Sequence, residues 1–271
     1  MQTPTVLITG ASSGIGLELT RLCAAQGYDL IIVARSREKL ERLAEVLRSQ
    51  AASILVLEKD LSQPNAGHEL YQAIRQQGRT VDILINDAGY GLHGRFMEID
   101  IAQQLNMMQL NMLTLTELTY LVLQDMQARR WGRILNLGSV ASFVPVPMFN
   151  AYSATKAFVL SFTTALTTEL MGYGDIHVTA LCPGPTKTRF AENSRMDRID
   201  DFNRFAATPQ NVARAGWQGL LKKKNIVVTG GLFRFGLFLN WLAPRWLVQK
   251  VLGLGLLDSA GEEMGGADGP A

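Results

Sequence analysis

Cysteine is scarce in this sequence: Cys23 and Cys182 are its two examples in 271 residues, without metal or redox spacing. Histidine is scarcer than a metal centre needs, because His68, His93 and His177 lie scattered along the chain. Charge of one sign is lacking too. A formal net charge of +2 without dense basic blocks leaves no electrostatic footprint for nucleic acid, and KKK at 222–224 reads as a solvated helix end. The most apolar stretch, 232–257, is divided by Arg234, Pro244, Arg245 and Lys250. Its runs fall well short of the roughly 20 residues that span a bilayer. The first apolar run, TVLITG, is too short for a signal h-region and is followed by no cleavage-like site. These absences predict a reduced, cytoplasmic chain with no structural metal.

What is present can build a large core: 47% of residues are hydrophobic and 18% charged. Short runs rich in Val, Ile and Leu recur at 5–9, 29–34, 53–58, 81–86, 132–137, 176–181 and 225–229. Continuous apolar runs suit parallel strands buried on both faces. Between them, segments such as SREKLERLAEVLRSQ (36–50) carry the 3.6-residue spacing of amphipathic helices. The alternation predicts an α/β, doubly wound Rossmann-type fold. With no internal repeat or dividing linker, residues 1–231 read as one domain. The apolar C-terminal extension, 232–257, packs against the body or a partner subunit in the favoured reading and lies on a membrane surface in the other. The Gly- and acid-rich end, 258–271, has the composition of a disordered tail.

TGASSGIG, residues 9–16, falls where the first strand gives way to a helical pattern. Glycines there allow a tight turn and let a pyrophosphate approach amides at the helix N-terminus. Gly10, Gly14 and Gly16 are spaced GxxxGxG, and no Gly-Lys-Ser/Thr follows, so this is not a P-loop. About 20 residues on, an acid would select a ribose 2′-hydroxyl. The sequence instead has VARSR, with Arg35 and Arg37, whose guanidinium groups can pair with a 2′-phosphate. The cofactor expectation is therefore NADP(H).

TGASSGIG at the first turn, NDAG at 86–89, and YSATK at 152–156 with Ser139 upstream occur in one order. Together they make the chain resemble the short-chain dehydrogenase/reductase family over roughly residues 3–231. The resemblance implies a seven-stranded parallel sheet and a catalytic set of Asn111, Ser139, Tyr152 and Lys156. It implies cofactor contacts from Gly10, Ser12, Ser13, Gly14, Ile15, Gly16 and Arg35, then Asp60 and Leu61 at the adenine. Asn86, Ala88 and Gly89 would lie beside the ribose; Pro183, Gly184, Thr186 and Thr188 would hold the nicotinamide, with Tyr152 and Lys156 also touching the cofactor. One departure is Asp87, where the family commonly has a second Asn that ties neighbouring strands. Asn106 is a second asparagine near Asn111, in surroundings that fit the family pattern less well.

Asn150 is the expected N-cap of a helix that runs to GYG at 172–174, which places Tyr152 and Lys156 at i and i+4 on one face. The nearby ammonium favours the phenolate, but one exposed Lys cannot bring a phenol from ~10 to ~7; the expectation is conditional on added positive charge from an oxidised nicotinamide in a site closed to water. By resemblance Tyr152 donates a proton to a carbonyl oxygen, Lys156 holds the ribose and biases the phenol, Ser139 hydrogen-bonds the substrate, and Asn111 positions a water that links Lys156 to solvent. The function implied is hydride transfer between NADP(H) and a carbonyl or secondary alcohol. The alternative is a non-catalytic NADP(H)-binding redox sensor. Residues 189–208 would form a substrate lid with Phe190, Phe202 and Phe205, and Phe143, Met148 and Phe149 would line the pocket. A homo-oligomer, dimer or tetramer, would form through helices at 101–129 and 150–171.

Overall fold

All five residues of the first run, Thr5–Thr9 (β1), are buried, because this strand lies inside the sheet and is covered on both faces. Its side chains alternate. Val6 and Ile8 enter one apolar cluster, with Leu19 and Cys23 from one helix and Trp217 and Leu220 from another. Leu7 points the other way, into a cluster with Leu70, Ile74, Leu118 and Val122. A doubly wound sheet follows from that division. The computed structural model describes residues 3–188, 206–231 and 236.

The elements in chain order are β1, α1 (Gly14–Ala25), β2 (Asp29–Ala34), α2 (Arg37–Leu47), β3 (Ser53–Glu58), α3 (Ala66–Gln76), β4 (Ile83–Asn86) and α4 (Ile101–Met108). A π-helical segment (Gln109–Thr114) leads into α5 (Leu115–Arg129). Then come β5 (Trp131–Leu137), a short 3-10 turn (Val140–Ser142), α6 (Asn150–Glu169), β6 (Asp175–Cys182), α7 (Pro209–Leu221) and β7 (Ile226–Val228). The strands form one parallel sheet of seven in the order β3-β2-β1-β4-β5-β6-β7. All seven expected strands are present. β4 starts two residues later than its apolar run, and Asp82 before it accepts a hydrogen bond from the Thr5 amide at 2.8 Å.

Two helix expectations need correction. The pattern over 101–129 is not one regular helix, because the π segment inserts an extra residue into the turn at Asn111. α6 is capped by Phe149, and Asn150 is its first residue, accepting a bond from the Ala151 amide at 2.7 Å. Strand order reverses between β1 and β4, so the loops after these strands diverge and leave a crevice at the carboxyl edge of the sheet. The glycine turn leaves β1 there, and NDAG leaves β4.

Candidate functional site

The turn after β1 needs its glycines for two different reasons. Gly10 and Gly14 have φ of +73° and +58°, the left-handed region that a Cβ disfavours. Gly16 is required by space: a Cβ there would sit 2.4 Å from Asp87 Oδ2 and 2.6 Å from the Gly10 carbonyl oxygen. Ser13 stands at the N-cap of α1 without a side-chain cap bond, so Ser12, Ser13, Gly14 and Ile15 present a helix start that the N-cap side chain itself leaves open. A Cβ on Gly14 would meet Thr188 at 3.4 Å, which sets the 183–188 loop across the crevice from the turn. That loop is braced: Pro183 O accepts from the Val140 amide at 2.9 Å, Thr186 donates to Gly184 O at 2.9 Å, and Thr186 bridges to Ala207.

At the far end of the crevice Arg35 follows β2 and is exposed. Arg37 is the first residue of α2 and pairs with Glu41 at 3.3 Å along the helix, so of the two arginines Arg35 is the one outside regular structure. Asp60 accepts from the Ser62 amide at 3.0 Å and the Ser62 hydroxyl at 2.8 Å. Partial burial pushes its carboxyl upward, but the bonds from Ser62 and Gln63 and the charge of Arg35 prevail and lower it. Leu61 is buried in the core, so only its backbone can face a ligand.

After β4 two side chains take places that the motif does not specify. The Asn86 side chain is buried, donating to Asn136 Oδ1 at 2.9 Å and Thr119 Oγ1 at 3.1 Å. Asn86 therefore performs the strand tie expected of position 87, and only its backbone borders the crevice. Asp87 turns toward the glycine turn, where its carboxylate accepts from the Gly16 amide. Thr9 Oγ1 accepts from both the Asp87 and Ala88 amides at 3.1 Å, which locks the start of this loop onto β1. Gly89 leaves a gap in which a Cβ would lie 2.9 Å from Asn111 Oδ1 and 3.6 Å from Lys156 Nζ.

Around that gap the structure gathers Asn111, Ser139, Tyr152 and Lys156. Ser139 caps the 3-10 turn after β5, with its hydroxyl accepting from the Ala141 amide at 3.1 Å. It is also a hydrogen-bond partner of the Tyr152 phenol. One helical turn on, Lys156 is buried and donates to Leu137 O at 2.7 Å, with Nζ 5.8 Å from the Tyr152 ring centre. Asn111 points inward from the π segment, its amide donating to Tyr90 O at 3.0 Å and Thr155 Oγ1 at 3.1 Å, while its oxygen accepts from the Tyr90 amide at 3.2 Å. Electrostatics here are dominated by burial. Burial pushes the Tyr152 phenol up to about 12 against the opposing bond from Ser139. Burial lowers Lys156 to about 8, with Asp87 opposing. Desolvation is the largest influence on both groups.

A family model described as short chain dehydrogenase matches residues 4–199, most of the chain, from β1 through the 183–188 loop. The chain belongs to the short-chain dehydrogenase family. Among its relatives in this family is the ketoacyl reductase HetN of Nostoc sp., 30% identical over 225 residues that make 83% of this chain and 77% of that one. A short-chain dehydrogenase from Sphingobium yanoikuyae, solved in complex with NADPH, superposes with a TM-score of 0.76 at 30% identity, covering 99% of this chain and 97% of that one. A bulky-bulky ketone specific alcohol dehydrogenase from Comamonas testosteroni gives 0.74 at 28% identity, with 100% and 97% covered.

The crevice of this short-chain dehydrogenase fits a dinucleotide on its own geometry: a tight left-handed turn at Gly10 and Gly14 leads into a helix start that the Ser13 side chain does not cap. Sequence reasoning missed two residues that hold Asn111. The Tyr90 hydroxyl donates to Asn106 Oδ1 at 2.8 Å and reaches Gln103 O at 3.1 Å, while Asn106 Nδ2 approaches Ser62 O at 3.4 Å. Asn106 thus anchors the residue whose backbone grips Asn111, a role no motif spacing discloses. Tyr90→Phe removes one anchor and should lower kcat several-fold, by about 1 kcal/mol or somewhat more, with little change in KM. Steady-state kinetics check this, and a change confined to thermal stability would make the bond purely structural. Phe149 is buried, 5.9 Å from Tyr152 and 4.8 Å from His93 between ring centres. Residues 189–205 of the expected lid, with Phe190, Phe202 and Phe205, lie outside the described residues, as does most of 232–257.

Proposed function

We propose that this protein interconverts a carbonyl compound and the corresponding secondary alcohol with NADP(H), using Tyr152 as the general acid and base. The observation that carries this is the convergence of Tyr152, Ser139, Lys156 and Asn111 on the crevice floor beside the glycine turn. The nicotinamide, when bound, supplies or accepts the hydride. Gly10 through Gly16, Asp60, the backbone of Leu61 and Asn86, Ala88, Gly89 and the 183–188 loop would hold the dinucleotide. The paired hydroxyls of Ser139 and Tyr152 suit one oxygen acceptor between them, the place of a carbonyl oxygen. A phenol raised by burial is fully protonated at neutral pH and so is loaded for donation in the reductive direction. Phe149, Met107 and Ala141 pack beside Tyr152 with Val146 and Leu92, which gives the substrate side an apolar wall. A moderately apolar ketone or aldehyde suits that wall.

Loss of NADPH absorbance across a panel of aldehydes, alicyclic ketones and bulky ketones tests the reading. Consumption with at least one class is expected. Tight NADPH binding with no turnover of any class would favour the redox-sensing alternative. The cofactor choice has its own test. Arg35→Asp replaces an attraction for a 2′-phosphate with repulsion, and should shift the NADPH to NADH ratio of kcat/KM by a factor on the order of 10² toward NADH. An unchanged ratio removes Arg35 from the cofactor site.

Assembly into a homo-oligomer is supported by Ile101, Leu105, Leu113 and Tyr120, which are 55–63% exposed on α4, the π segment and α5. No helix among the described residues is long and apolar enough to cross a membrane.

A further inference from the structure

Asp87 places an anion at the back of a turn whose function is to receive one. Its Oδ2 lies where a Cβ on Gly16 would come within 2.4 Å and one on Gly10 within 2.9 Å, and its carboxylate accepts the Gly16 amide in the first turn of α1. The partial positive charge of that helix start is therefore shared between a resident carboxylate and any incoming phosphate. Two anions at one helix terminus repel in a low-dielectric crevice, and the one able to take a proton is the carboxyl group.

We propose that Asp87 is the proton-linked residue of the cofactor site: a dinucleotide pyrophosphate docks with uptake of a proton by this carboxylate, so that affinity declines as pH rises through neutrality. The inference rests on the NADP(H) reading above. Burial already pushes this carboxyl up to about 7, where a modest added repulsion converts it to the acid. Among the described residues, the groups that face it are few. α6 contributes the Lys156 ammonium, which opposes the rise and is itself held by Leu137 O at 2.7 Å. α1 contributes the Gly16 amide, and β1 contributes the uncharged Thr9 hydroxyl and the Gly10 backbone. Tyr152 and Cys182, both raised to about 12, are neutral across the range concerned. Lys156, half-charged near 8, keeps most of its charge up to neutrality, so between pH 6 and 7.5 the group that titrates most is Asp87.

Asp87→Asn keeps an oxygen for the Gly16 amide and removes the ionisation. NADPH titrations of both proteins between pH 6 and 7.5 should show the wild-type Kd rising about threefold more than that of Asp87→Asn. Titration of the cofactor's own 2′-phosphate is common to both and cancels. A second measurement needs no variant. In wild-type protein with 13C-labelled aspartate carboxyls, the pKa of the Asp87 signal should rise on addition of NADPH. Parallel Kd profiles in the two proteins, or a carboxyl signal whose pKa is unmoved or lowered by NADPH, would overturn the proposal while leaving the cofactor reading intact. Failure of the wild type to bind NADPH or NADH at any pH would overturn that reading, and this one with it.

Discussion

Tyr152→Phe should reduce turnover by a factor on the order of 10² or more while cofactor affinity stays within about twofold of wild type. The substitution keeps the ring, which packs against Phe149 at 5.9 Å between centres and fills the cluster with Met107 and Ala141. No core volume is lost, so a fall in kcat cannot be ascribed to collapse of the pocket. Only the oxygen goes, and with it the hydrogen bond to Ser139. Burial holds the phenol near 12, so the acid stays loaded through the whole working range and reduction should show no acidic or neutral limb from this group. Oxidation needs the phenolate. A gap of about five units at pH 7 corresponds to roughly 7 kcal/mol, which a positively charged nicotinamide and Lys156 together must offset. Fluorescence titration of NADPH and steady-state rates in both directions provide the check. Turnover within threefold of wild type would refute the proton-donor role.

The parts of this fold that were readable in the sequence are those written in local periodicity. Every residue of TVLIT and almost all of DLIIVA is buried, and a strand covered on both faces must be apolar at consecutive positions. The glycine turn was readable because its demand is backbone geometry, visible as φ of +73° at Gly10 and +58° at Gly14. What escaped was set by long-range packing. NDAG carries no sign that Asn86 turns to Asn136, fifty residues away, while Asp87 turns to Gly16. The π turn at Asn111 was equally hidden, since the mixed apolar pattern of 101–129 does not show where an extra residue enters a turn. The upward push on the free tyrosine was not legible either, because proximity to Lys156 can be inferred from i, i+4 spacing, whereas burial of both groups comes from elements that meet only in the folded chain.

Lys156→Met should lower kcat by a factor on the order of 10² and weaken NADPH about tenfold, with little loss of melting temperature. Methionine retains most of the aliphatic stem in a site where Lys156 is 7% exposed, so packing is largely preserved. The charge is not. Its removal leaves Leu137 O without the donor that approaches at 2.7 Å, and deprives Asp87 of the one cation among the described residues that favours its ionised form. The two effects on binding oppose each other. The lost ammonium weakens attraction for the dinucleotide, while a more fully protonated Asp87 relieves repulsion. The pH profile separates them. Lys156 is charged below about 8 and neutral above it, so wild-type activity should fall on an alkaline limb near that value, displaced upward when phosphate charge is bound nearby. The residual activity of Lys156→Met should lack that limb. If the variant kept near-normal turnover, or kept the limb, the ammonium would be a buried structural group and the proton route would have to run elsewhere.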